Sequence, residues 1–111
     1  MKNFYARTTP WGTIQTGDLL DKLPNDEQWA VFFHELGHLH HRHAIKRIWR
    51  LVTFRWRGFY AMCEQQEFEA DQFAVDQGQR RGLESFLLRH ASRVKSPGYP
   101  TAAQRLEAIR E

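Results

Sequence analysis

Cysteine is almost absent from this chain: Cys63 stands alone among 111 residues, so no internal disulfide can brace the fold. A lone thiol points to a reducing compartment. Long apolar runs are missing too, all of them shorter than the about 20 residues that cross a bilayer. The opening Met1-Lys2-Asn3-Phe4-Tyr5-Ala6-Arg7 meets charge again before a signal-peptide core can form. A soluble, cytoplasmic protein is expected. With no Ser/Gly/Pro-rich tract to mark a linker, residues 1–111 read as a single domain. It is a small one, which buries only about two-thirds of its unfolded surface. Acid is missing from one whole region: none lies between Glu35 and Glu64, where Arg42, Lys46, Arg47, Arg50, Arg55 and Arg57 alternate with Ile48, Trp49, Phe54, Trp56, Phe59 and Tyr60. Residues 42–57 fit a solvated cationic face packed through its aromatics, an interfacial helix drawn weakly to anionic membrane, or a nucleic-acid surface. Nothing else in the chain resembles a nucleic-acid fold, so nucleic acid is not an expected partner.

What is present is centred on Ala30-Val31-Phe32-Phe33-His34-Glu35-Leu36-Gly37-His38, an H-E-x-x-H pattern in an apolar, helix-compatible run. Four helical residues turn the chain by ~400°, so His34 and His38 share a face one turn apart and two imidazoles can grip one metal ion. Glu35 lies on the neighbouring face, from which a carboxylate can reach a metal-bound water without itself binding the metal. Two histidines fill half of a tetrahedral zinc shell, so a further carboxylate is expected. Glu67-Phe68-Glu69-Ala70-Asp71 supplies acids: Glu64, Glu67 and Asp71 share one helical face, and Glu69 points away from Glu67. Spacing alone does not choose among the three.

Along the chain, residues 3–8 and 12–16 carry β-favouring types around Pro10-Trp11-Gly12 and predict a hairpin. Gly17 to Leu23 allows a helical turn or two. Asn25 offers an N-cap, with Gln28 three residues on, to a long helix whose apolar spacing extends to at least Arg47. A further helix is expected from about Ala61 to Gln77, stopping at Gly78, and another from Leu83 to about Val94. Ser96-Pro97-Gly98-Tyr99-Pro100 reads as a loop. Thr101 with Gln104 then forms a capping box that opens the last helix. The fold class is α+β: mainly helical, with a small antiparallel hairpin beside a cleft. His40, His43 and His90 read as solvated or packing residues, His41 returns to nearly the face of His34 two turns along but is not needed by a metal that already has three ligands, and Cys63 reads as a buried structural thiol.

Taken in order, Gly12-Thr13-Ile14-Gln15-Thr16-Gly17, His34-Glu35-Leu36-Gly37-His38, Glu67-Phe68-Glu69-Ala70-Asp71, and Tyr99-Pro100 followed by Arg105-Leu106 resemble the zincin-like catalytic core of gluzincin metallopeptidases of the HtpX-like and CaaX-prenyl-protease-like kind, whose small soluble versions are called minigluzincins. The resemblance implies one zinc ion held by His34, His38 and Glu67, with Asp71 orienting a ligand histidine, as a carboxylate commonly does. Relatives often carry a histidine where Tyr99 stands. A tyrosine hydroxyl can still donate to an oxyanion with Arg105 assisting, which makes Tyr99 and Arg105 candidate catalytic residues beside Glu35. The implied activity is zinc-dependent endopeptidase cleavage of peptides or unfolded proteins, by water that Glu35 deprotonates, with the strand near Thr13 to Thr16 aligning the substrate. Two other readings stand beside it. One is a latent or catalytically silent zinc-stabilised domain, and the other is a basic interaction module for anionic lipid or nucleic acid, acting through residues 42–57.

Overall fold

The computed structural model describes residues 4–9, 11–53, 57–91 and 96–110, with Ala44 described by its backbone alone. Two strands, β1 (Ala6–Thr8) and β2 (Ile14–Thr16), pair antiparallel in the register Ala6↔Thr16, Arg7↔Gln15 and Thr8↔Ile14. The hairpin is closed by Thr9, whose N–H reaches the Thr13 carbonyl at 2.9 Å. A 3-10 turn at Leu20–Lys22 leads into α1 (Asn25–His40), followed by α2 (His43–Val52), α3 (Phe59–Asp76), α4 (Arg80–Arg89) and α5 (Ala102–Arg110). The α+β expectation holds: the described residues form five α-helices and one two-stranded sheet, and no helix among them is long and apolar enough to cross a membrane.

Several boundaries differ from the sequence reading. The long helix does not run through to Arg47: it ends at His40, and Arg42 adopts a left-handed conformation (φ 54°, ψ 41°) before α2 starts afresh. Apolar residues recur at helical spacing on both sides of the break, although the large ones on α2 are exposed, so periodicity does not see it. Pro24, not Asn25, occupies the N-cap of α1, and the Gln28 side chain donates to the Leu23 carbonyl instead. The fourth expected helix begins at Arg80 and ends at Arg89; Val94 lies outside the described residues, as do Phe54, Arg55 and Trp56 of the basic stretch. The Thr101–Gln104 capping box forms as expected, with both reciprocal hydrogen bonds.

The core joins α1, α3, α4 and α5 through Ala30, Ala74, Leu83, Leu87, Leu106 and Ile109, all buried. Small residues bring the helices close. A Cβ on Gly37 would stand 3.0 Å from both Ala70 Cα and Phe73 Cβ, so the glycine inside the His-Glu-Leu-Gly-His run is what lets α1 lie against α3. Gly82 does the same for α1 and α4. A Cβ there would fall 2.2 Å from the Asp26 carbonyl oxygen, a backbone atom that cannot swing aside. Gly82→Ala should therefore lower unfolding free energy by about 1–3 kcal/mol, the usual range for overpacking, despite alanine's better helix propensity. Urea denaturation checks this, and an unchanged midpoint would contradict the packing.

Buried Glu27 adds a polar tie between the same helices, accepting from Ser85 Oγ at 3.0 Å and Arg89 Nη1 at 3.3 Å.

Candidate metal centre

The contact of α1 with α3 brings three donor atoms to one point. His34 Nε2 and His38 Nε2 are 3.1 Å apart, Glu67 Oε1 lies 3.4 Å from His34 Nε2, and Glu67 Oε2 lies 3.0 Å from His38 Nε2. An ion bound tetrahedrally at about 2.0–2.2 Å sets its ligands roughly 3.3–3.5 Å apart, so this triangle has the dimensions of one face of such a shell. Nitrogen, nitrogen and carboxylate oxygen also form a donor set that suits zinc. Of the acids on that face of α3, Glu67 is the one whose carboxylate touches both histidines, while Glu69 points the other way. Glu35 offers a carboxylate oxygen within 4.8 Å of the histidine donor atoms.

Each histidine is oriented through its other nitrogen. His34 Nδ1 lies 2.7 Å from Asp71 Oδ1. A carboxylate accepts, so Nδ1 carries an N–H, and in the neutral ring the lone pair is on Nε2, which points toward the centre. Asp71, fully buried, is in turn gripped by Arg105, whose Nε donates to Oδ2 and Nη2 to Oδ1, both at 2.7 Å. His38 Nδ1 lies 2.7 Å from His43 Nδ1, and His43 Nε2 faces Glu69 Oε2 at 3.3 Å. Arg47 completes the surround, donating from Nη2 to Glu67 Oε2 at 3.3 Å and from Nε to Gln66.

His43 and Arg47 are the residues that the sequence reading missed. His43 is not a solvated or packing residue but a buried partner of His38, and Arg47 faces the site rather than solvent. The break at Arg42 explains both: on a continuous helix His43 would sit about 140°, and Arg47 about 180°, around the axis from His38. The only sequence signal was the density of histidines after His38. Cys63 is buried as expected, and burial pushes its thiol up, away from nucleophilic character.

Electrostatics follow from this packing. Burial disfavours charge on His34, but the Asp71 and Glu67 carboxylates overcome it and hold the ring pKa up at about 10. Burial also works against the Glu67 carboxylate, which its bonds to His34 and His38 nevertheless keep far below the usual range. Asp71 is likewise held down by Arg105 and His34. Burial lowers His38, and it lowers His43 to about 4. Glu35 is shifted the other way, since burial pushes its carboxyl up to about 7, in the range of a general base working near neutrality.

Cavities of about 400 and 450 Å³ open on either side of Glu35 and Glu67. Ala6, Glu35, Glu67 and Tyr99 border both, so the two form one cleft across the centre; Arg105 lines the first, and Arg47 and Ile48 the second. The strand along the cleft is β1, not the Thr13 to Thr16 strand expected to align a substrate: Ala6, Arg7 and Thr8 line it, and β2 pairs on β1's outer side. Tyr99 stands half exposed at the rim.

The family model described as Peptidase family M48 matches residues 4–62, more than half of the chain and all of the hairpin, α1 and α2. No curated protein and no solved structure matches.

Proposed function

Because the chain belongs to peptidase family M48, we propose that it is a zinc-dependent endopeptidase and that residues 1–111 act as a minimal catalytic domain. The observation that supports this reading best is the triangle of His34 Nε2, His38 Nε2 and Glu67 carboxylate, with both ring nitrogens aimed inward and Glu35 beside it. These three residues would hold the ion, which supplies Lewis-acid activation of a water and of the scissile carbonyl. Glu35 accepts the proton of the attacking water on its carboxylate and delivers it to the leaving amine. Asp71 and His43 hold the ligand histidines in the required tautomers, and Arg105 braces Asp71. The Tyr99 hydroxyl and Arg105, both bordering the cleft, face the oxyanion of an extended peptide or unfolded protein segment lying along β1.

The ligand assignment predicts opposite pH behaviour with and without metal. His34 has its folded pKa raised from 6.5 to about 10, so the stability it contributes is fully present below 6.5 and is lost as pH rises through 10. Ligation requires the neutral ring instead, so binding releases a proton and strengthens with pH. Between pH 7.5 and 9.5 the thermal midpoint of metal-stripped protein should fall, and that of protein with one equivalent of zinc should hold or rise. Parallel slopes in scanning calorimetry would contradict the assignment of His34.

One further feature supports a place of action. On α2, Ile45, Ile48, Trp49 and Val52 fall on one face and all are exposed, Trp49 by 65 % and Val52 by 63 %. Lys46 and Arg50 are interleaved with them in the sequence, and no acid occurs between Glu35 and Glu64. An apolar helix face with nearby cations suits an anionic lipid surface. The protein should sediment with phosphatidylserine-containing vesicles, less so with neutral ones or at high salt, and Trp49→Glu should abolish this. A face that pairs two copies instead would show as a dimer with no vesicle binding.

A further inference from the structure

Outside the centre a second group of ligating side chains surrounds Glu69. Its Oε2 lies 3.3 Å from His43 Nε2 and 3.6 Å from His41 Nδ1, and the two imidazoles stack with planes 13° apart and centroids 5.2 Å apart. One ligand atom from each of the three residues falls within 4.8 Å of the others. The group is assembled by the helix break at Arg42. His41 caps the end of α1, His43 begins α2, and the left-handed Arg42 between them, the one non-glycine residue with positive φ among those described, turns both rings to the same side of α3. The His41 and Glu69 side chains are 35 % and 34 % exposed and that of His43 is 2 % exposed, so the group is rooted in the fold yet open to solvent on one side.

We propose that His41, His43 and Glu69 form a second site for a divalent transition metal, and that filling it weakens the hold of His38 on the first. Two imidazoles and a carboxylate suit zinc, nickel or copper rather than calcium or magnesium. With three ligands, two of them partly solvated, water completes the shell and affinity is lower than at the buried centre.

The antagonism comes from the tautomers and rests on the reading of His38 as a ligand. A neutral imidazole bound through Nε2 carries its hydrogen on Nδ1. At 2.7 Å, His38 Nδ1 and His43 Nδ1 need one donor and one acceptor. When His38 binds metal it is the donor, so His43 Nδ1 accepts and His43 Nε2 carries the hydrogen that faces Glu69. A metal on His43 Nε2 takes that position and leaves the ring's hydrogen on Nδ1. Two N–H groups then face each other, the contact cannot persist, and His38 loses the partner that orients it.

The test is zinc titration of metal-stripped protein against a chromophoric chelator, with wild type, His41→Ala and Glu69→Gln. Two equivalents are expected in wild type, the second at least about tenfold weaker, and one in each variant. Labelled zinc in the tight site should exchange about tenfold faster once the second equivalent binds, and His41→Ala should remove that dependence. A single equivalent in wild type that both variants retain, or a second that survives in both variants, would overturn the site; two equivalents with unchanged exchange would overturn the antagonism. Loss of the tight equivalent alone would count against the peptidase reading and leave the outer site standing.

Discussion

Asp71→Ala should cost about 3–5 kcal/mol of stability, the range for removing one partner of a buried ion pair. The carboxylate is fully buried and accepts three bonds of 2.7 Å, two from Arg105 and one from His34. Its removal leaves the Arg105 guanidinium, with a side chain only 14 % exposed, without its counter-charge between α3 and α5. Domains of this size hold roughly 5–15 kcal/mol in all, so the variant should unfold at a markedly lower urea concentration. The penalty belongs to the stranded charge rather than to the lost contact. Asp71→Ala combined with Arg105→Leu should therefore be more stable than Asp71→Ala alone. A loss below about 1 kcal/mol, or a double variant less stable than the single, would show that the pair behaves as an exposed one. Because Asp71 also fixes the His34 tautomer, Asp71→Asn should weaken zinc binding about 10- to 100-fold even where the fold survives.

Glu35→Gln should remove activity rather than stability. The carboxamide keeps the size of the side chain and the apolar packing around it, and relieves the fold of a carboxylate that burial already disfavours. It cannot take a proton. Positioned general acid–base groups contribute about 10²- to 10⁴-fold, and here one group serves both transfers, so the upper end is expected. Zinc content and thermal midpoint should not fall.

Much of this architecture was legible in the residues. The spacing of His34, Glu35 and His38 on an apolar helix, the later acids on one helical face, the capping box at Thr101 and the glycine stop after α3 each depend on local rules that the folded chain obeys. What spacing left open was which acid meets the histidines, because Glu64, Glu67 and Asp71 differ by whole turns, and only the height at which α3 crosses α1 decides. That height is set by Gly37 against Ala70 and Phe73, a tertiary contact. The break at Arg42 was illegible for a different reason. Arginine has no propensity for left-handed backbone, so tertiary packing rather than local preference must hold it there. His43, Arg47 and the second histidine cluster all depend on that one residue's conformation, and so all were out of reach of periodicity. Where β1 lies was likewise decided by packing on α1, since both strands of a short hairpin look alike in sequence.

In the proposed function His34, His38 and Glu67 hold a zinc ion beside which Glu35 drives peptide hydrolysis. The most direct measurement is cleavage of casein by zinc-reconstituted protein beside Glu35→Gln, with metal content determined for both. Expected is cleavage by the wild type that a chelator abolishes and that Glu35→Gln lacks while retaining its zinc. Zinc-loaded wild type that cleaves nothing, or a Glu35→Gln protein as active as wild type, would contradict it.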